Sequence, residues 1–103
     1  MYKCRISVLE VQFNKALAEQ YGVQNIGPCP YHSVGQVYEG YHRKPEGFCD
    51  EAWKAIHHYV FALVHGVTDP FFSNRWLRYG GISINSCNDG LRPVIFKIER
   101  IEE

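Results

Sequence analysis

The stretch Gly47–Gly66, GFCDEAWKAIHHYVFALVHG, decides the fold because its pattern predicts a full helix. With successive residues about 100° apart, its apolar side chains fall within one arc of roughly 140°. That arc holds Cys49, Ala52, Trp53, Ile56, Tyr59, Val60, Leu63 and Val64. Cys49 is the expected N-cap, and Gly66 is the expected left-handed residue after the last turn. We therefore predict a long amphipathic helix whose apolar face packs on the rest of the chain.

The segments on either side of this helix alternate between apolar and polar residues, which predicts strands. The expected strands are Tyr2–Val11, Val34–Tyr41, Ile82–Cys87 and a last one that begins at Val94. A short helix is expected at Lys15–Tyr21, between Asn14 as N-cap and Gly22. The order β-α-β-α-β-β predicts one α+β domain over residues 1–103. Its sheet of about four strands, mixed or antiparallel, would be covered by the long helix and the short one.

The composition narrows the classes of function. The chain has 103 residues, 46% of them hydrophobic, and its 11 basic and 11 acidic residues give no net charge. This balance argues against a nucleic-acid partner or an anionic membrane surface. No apolar run approaches the ~20 residues of a membrane span, and the first residues do not resemble a signal peptide. We therefore expect a cytoplasmic protein with no membrane partner, and the sequence leaves homo-oligomer formation open.

The four cysteines are the residues most suggestive of chemistry. In a cytoplasmic chain they are expected to be thiols or metal ligands and not a disulfide framework. Cys4 belongs to the apolar face of the first strand. Cys29 lies between two prolines in a loop, Cys49 at a helix start, and Cys87 at a strand end beside a turn. The last three stand at segment ends, where structural metal sites are often built.

A zinc-like site is the first interpretation of these positions. Cys29 and His32 have a C-x-x-H spacing that supplies two ligands, and Cys49 with Cys87 would complete a Cys₃His set. A second interpretation is that these cysteines are small apolar residues that fill the core, as free cysteines often do. In a third, Cys49 is a redox or nucleophilic thiol, because helix N-termini favour thiolates. The pattern allows all three.

Three motifs carry a resemblance to a known family. They are GPCP at Gly27–Pro30, GFCDEAW at Gly47–Trp53 and CNDGLRPVIFKIER at Cys87–Arg100. Together they resemble a family of small prokaryotic proteins of similar length with no assigned activity, substrate or cofactor. The resemblance implies a stand-alone cytosolic domain whose recurring features include these cysteines. We therefore expect a small binding or accessory domain with a cysteine-centred metal site, or alternatively a thiol-dependent enzyme that uses Cys49.

Overall fold

The computed structural model describes residues 1–73 and 75–101, and its elements follow the predicted order. They are β1 Lys3–Val11, α1 Lys15–Tyr21, β2 Val37–Gly40, α2 Asp50–Val64, β3 Ile82–Ser86 and β4 Val94–Ile101. The predicted α+β class is confirmed. Asn74, Glu102 and Glu103, which the predicted domain includes, lie outside the described residues. No helix in the described part of the chain is long and apolar enough to cross a membrane.

The sheet is built on the central pair β1 and β4. The strand order is β2-β1-β4-β3 and every pairing is antiparallel, which decides between the two sheet types expected. Ile6 lies opposite Ile98, and Val8 lies opposite Phe96. Because side chains alternate along a strand, these residues share one face, and all are buried. This face forms the sheet side of the core.

Helix α2 covers that face with its predicted apolar side. Ile56, Val60 and Leu63 are buried in the same cluster as Phe96 and Ile98. Trp53 is only partly buried, because it lies near the edge of this cluster, where its ring contacts Phe48 at a centroid distance of 6.1 Å. After the last turn, Gly66 has φ +99° and its N–H donates to the carbonyl of Leu63, as expected for a C-terminal glycine.

Strand β2 is shorter than the alternation in the sequence predicts. The regular ladder with β1 covers only Val37–Gly40, whereas the predicted strand is Val34–Tyr41. Gly35 and Gln36 still form backbone hydrogen bonds with Val8 of β1. The N–H of Gln36 donates to the carbonyl of Ser33, and Gly35 has φ +92°, so the chain turns before the strand begins. The sequence prediction included the turn residues because alternation of apolar and polar residues does not distinguish such a turn from a strand.

Candidate cysteine-lined site

A cavity of about 310 Å³ lies where the loop before β2, the start of α2 and the β3–β4 turn meet. Its lining residues are Cys29, Tyr31, His32, Cys49, Glu51, Ala52, Cys87, Asn88, Asp89, Arg92 and Val94. The four ligands predicted from the sequence are all among them. The fold therefore brings three cysteines and one histidine from distant parts of the chain to the wall of one cavity.

These four side chains surround the cavity without meeting at one point. Within residues 1–73 and 75–101, no three His, Cys, Asp or Glu side chains are close enough together to hold a metal ion. All four cysteines of the chain are free thiols. A metal ion bound here would therefore need the side chains of Cys29 and Cys49 to change rotamer and approach Cys87.

Cys87 has the most structured surroundings of the three cysteines. Its Sγ accepts hydrogen bonds from the N–H of Val94 at 3.3 Å and from the N–H of Asp89 at 3.5 Å. Its own N–H donates to the carbonyl of Val94 at 3.0 Å. Its S–H donates to the carbonyl of Arg92 at 3.9 Å. The β3–β4 turn is thus folded around this sulfur, which faces two amide donors and one carbonyl acceptor.

Asp89 holds that turn together. Its Oδ1 accepts from the N–H of Leu91 at 2.9 Å and of Arg92 at 3.1 Å, and its Oδ2 accepts from Arg92 Nε at 2.7 Å. Partial burial alone would raise the pKa of the Asp89 carboxyl, but these hydrogen bonds outweigh it and hold the pKa below its ordinary value. Asp89 is therefore an ionised acceptor in the middle of the turn.

His32 is buried in the wall of the cavity. The residue is only 4% exposed, and its ring packs against Phe48 and Phe96 at centroid distances of 5.2 and 5.3 Å. Nδ1 lies 3.4 Å from Gln36 Oε1, whereas Nε2 is buried with no hydrogen-bond partner. Burial lowers the pKa of His32, and the Gln36 contact opposes this only in part. The imidazole is therefore neutral near pH 7, with one nitrogen left unpaired.

The side chains of Cys29 and Cys49 are less constrained by hydrogen bonds than that of Cys87. Cys49 is the N-cap of α2, as predicted, and its side chain makes no capping hydrogen bond. Cys29 is half-buried, and its proximity, together with that of Tyr31, adds to the effect of Asp89 in raising the pKa of Arg92. Both cysteines pack at the edge of the core, so their role as partial core filler is compatible with a role in the cavity.

Cys4 differs from the three cysteines that line the cavity, because it is a core residue. It is 1% exposed on the buried face of the sheet near the start of β1, and burial raises its pKa to about 11, against a smaller opposing effect of Arg100. The alternation in β1 is sufficient to separate this core thiol from the other three.

Asn88 is a residue of the site for which the sequence predicted no role. Its Nδ2 donates to the carbonyl of Glu51 at 3.0 Å and thereby ties the β3–β4 turn to the first turn of α2. The sequence identifies Asn88 only as a turn residue. Its hydrogen bond to Glu51 could not be predicted, because the two residues are separated by more than a third of the chain.

Comparisons with known proteins assign no function to this cavity. No protein-family model, curated protein or solved structure matches the chain. The resemblance of the three motifs to a family of small prokaryotic proteins therefore stays a prediction. The chemistry of the lining residues is the basis on which a function can be assigned.

Proposed function

We propose that the chain is a small cytosolic binding or accessory domain that holds one zinc-like ion through Cys29, His32, Cys49 and Cys87. Three thiolates and one imidazole are the soft and borderline donors that structural zinc sites use. The geometry that supports the proposal is the shared cavity at the junction of three segments.

The unpaired Nε2 of His32 is the observation that supports the metal site most strongly. A buried polar atom without a partner is costly, and a nitrogen in this state calls for a ligand that the protein itself does not supply. A neutral imidazole binds a metal ion through such a nitrogen, and a contact like that of Gln36 at Nδ1 orients a ligating ring. Three thiols in the same wall select a soft ion over a hard one.

Rotation of the Cys29 and Cys49 side chains toward Cys87 would complete the site. Each sulfur sits at the end of a single rotatable bond, so a change of rotamer moves it without disturbing the backbone. Pro28 and Pro30 restrict the backbone around Cys29, which lowers the entropy lost when that loop is ordered by the ion. Arg92, which lines the same cavity, would offset part of the negative charge of three thiolates.

A thiol-dependent enzyme that uses Cys49 is the second candidate. The observation in its favour is that His32, kept neutral by burial, lines the same cavity and can accept a proton. Against it, His32 Nε2 has no hydrogen-bond partner, so no Cys–His pair is assembled. The metal proposal accounts for all four residues, whereas the enzyme proposal uses two.

Metal content is the direct test. We expect protein purified under reducing conditions to contain about one zinc per chain, and its Co²⁺ form to absorb with thiolate-to-cobalt charge-transfer bands and tetrahedral d–d bands. Cys29→Ser and Cys87→Ser should weaken these bands, whereas Cys4→Ala, which removes a thiol outside the cavity, should leave them unchanged. Metal-free protein with no Co²⁺ spectrum would contradict the proposal.

Alkylation of individual cysteines separates the two candidates. If the protein binds zinc, added Zn²⁺ should protect Cys29, Cys49 and Cys87 together from iodoacetamide, as measured by peptide mass spectrometry. If Cys49 is a catalytic thiol, it should react fastest in metal-free protein, and His32→Gln should slow that reaction alone. Equal reaction rates at the three sites, with no effect of Zn²⁺, would contradict both.

A further inference from the structure

The three cavity cysteines are not equivalent, because hydrogen bonds distinguish one of them. The N–H groups of Asp89 and Val94 both donate to Cys87 Sγ. Within residues 1–73 and 75–101, no hydrogen bond to Sγ of Cys29 or Cys49 accompanies them, and Cys49 makes no capping bond. Only the sulfur of Cys87, in this described part of the chain, is held in a polar setting of backbone donors.

Backbone donors of this kind suit a sulfur that carries negative charge. The thiolate is the form of cysteine that binds a metal ion, and hydrogen bonds to a charged acceptor are stronger than those to a neutral one. A sulfur also has lone pairs enough to accept amide hydrogen bonds while it binds a metal. The two N–H groups therefore need not be displaced when an ion arrives at Cys87, whereas the hydrogen bond from the thiol to the Arg92 carbonyl is lost with the proton that metal binding releases.

The turn that carries these donors is fixed before any ion binds. Asp89 accepts from the N–H of Leu91, the N–H of Arg92 and the Nε of Arg92. Asn88 joins the same turn to the carbonyl of Glu51. Cys87 is thus preorganised, whereas no hydrogen bond in the described part of the chain holds the sulfur of Cys29 in one rotamer.

Resting on the proposed zinc site, we infer that Cys87 is its anchoring ligand and that Asp89 is a positioning residue that holds the amide donors on the Cys87 sulfur. The ion binds first at Cys87, and Cys49, Cys29 and His32 close on it afterwards. Asp89 itself does not ligate, because its two carboxylate oxygens are engaged within the turn.

Substitutions at Asp89 and Arg92 test this role. Asp89→Ala removes both carboxylate oxygens, which accept from Leu91 and Arg92. It should lower Co²⁺ affinity by about tenfold, the low end of the range for residues that support a metal ligand. Asp89→Asn retains an oxygen that can accept the Leu91 and Arg92 amides, so it should rescue most of the affinity. Arg92→Gln removes a cavity charge but keeps the Asp89 acceptors for the Leu91 and Arg92 amides, so it should weaken binding less than Asp89→Ala. Lys97→Gln, which removes an ion pair on the opposite face of the sheet, is the matched control and should bind normally. Affinity is measured by chelator competition at a temperature at which circular dichroism shows each variant folded.

A spectroscopic signature separates positioning from simple stabilisation. In the ¹¹³Cd form, the amide protons of Asp89 and Val94 should show scalar coupling to the metal through Cys87 Sγ, and Asp89→Ala should abolish it. Wild-type protein that binds neither Co²⁺ nor Cd²⁺ would overturn the proposed function and this inference together. Metal binding without coupling at either amide, or with unchanged affinity in Asp89→Ala, would overturn the inference alone.

Discussion

His32 occupies a position where burial disfavours its charged form, although one ring nitrogen has no hydrogen-bond partner. The C-x-x-H spacing in the sequence places this residue beside Cys29. That spacing could not reveal that the ring would be enclosed by Tyr38, Phe48 and Phe96, which come from three other segments. Burial of a polar side chain among aromatic rings depends on tertiary packing, and local spacing contains no signal for it.

The stability of the metal-free protein should depend on pH through His32. Burial holds the pKa of His32 below its ordinary value of 6.5, so below pH 6.5 the unfolded chain binds more protons than the folded one. The stabilisation that depends on a neutral His32 is therefore fully present above pH 6.5. The free energy of unfolding decreases as the pH falls below that value. Urea unfolding between about pH 5 and pH 7.5 should show this decline.

His32→Gln is the control for that dependence, since it removes the titrating group and keeps a polar side chain. The decline in unfolding free energy between pH 6.5 and about pH 5 should be smaller in the variant. If wild type and variant lose stability in parallel over this interval, the decline has another source and the buried neutral His32 is not its cause.

At the scale of elements, α2 and the β1–β4 pair were predictable because each one buries a face with a regular period. The helix start at Cys49, its end before Gly66 and the bounds of α1 all match the sequence prediction. The length of β2 did not match, because long-range pairing with β1 and the local turn at Ser33–Gln36 set it. Trp53 also deviates in burial, because its ring packs on the core cluster at Phe48 without being enclosed by it.

Leu63 tests the packing of α2 on the sheet. It is fully buried between the helix and the strands, so Leu63→Ala should lower the free energy of unfolding by about 2–5 kcal/mol through lost burial and a residual cavity. Phe61→Ala on the same helix is the matched control, because Phe61 is 54% exposed, and we expect it to cost about 0.5 kcal/mol or less. Chemical denaturation measures both, and a similar loss in the two variants would contradict the assignment of the buried face.

For the whole molecule, the described residues form a thin domain with extents of 44 × 32 × 20 Å. The radius of gyration is 14.5 Å, whereas a compact chain of this length would have about 13 Å. One helix covers one face of the sheet, and ion pairs such as Arg5–Glu39 and Lys97–Glu99 lie on the other face. A domain this small, with one helix on one face of its sheet, gains much from an added cross-link.

The proposed ion would supply that cross-link, since its ligands come from the loop before β2, the start of α2 and the β3–β4 turn. The sequence predicted which residues could meet, because each cysteine stands at a segment end. It could not predict how closely they approach, which depends on the packing of all three segments. Binding to the folded state alone adds RT ln(1 + [L]/Kd), or about 2.7 kcal/mol when free metal is at a hundred times Kd.

We therefore expect Zn²⁺ at that excess to raise the Tm of metal-free protein by roughly 10–20 °C, since 1 kcal/mol shifts a domain of this size by about 4–8 °C. Differential scanning calorimetry with increasing Zn²⁺ should show Tm rising with metal concentration and falling again with chelator. Cys87→Ser should lose most of the rise, whereas Cys4→Ala should keep it from a lower starting Tm, because Cys4 contributes packing and no ligand. A rise in Tm of equal size in both variants would mean that Zn²⁺ binds elsewhere, and the assignment of the cavity as the metal site would then be wrong.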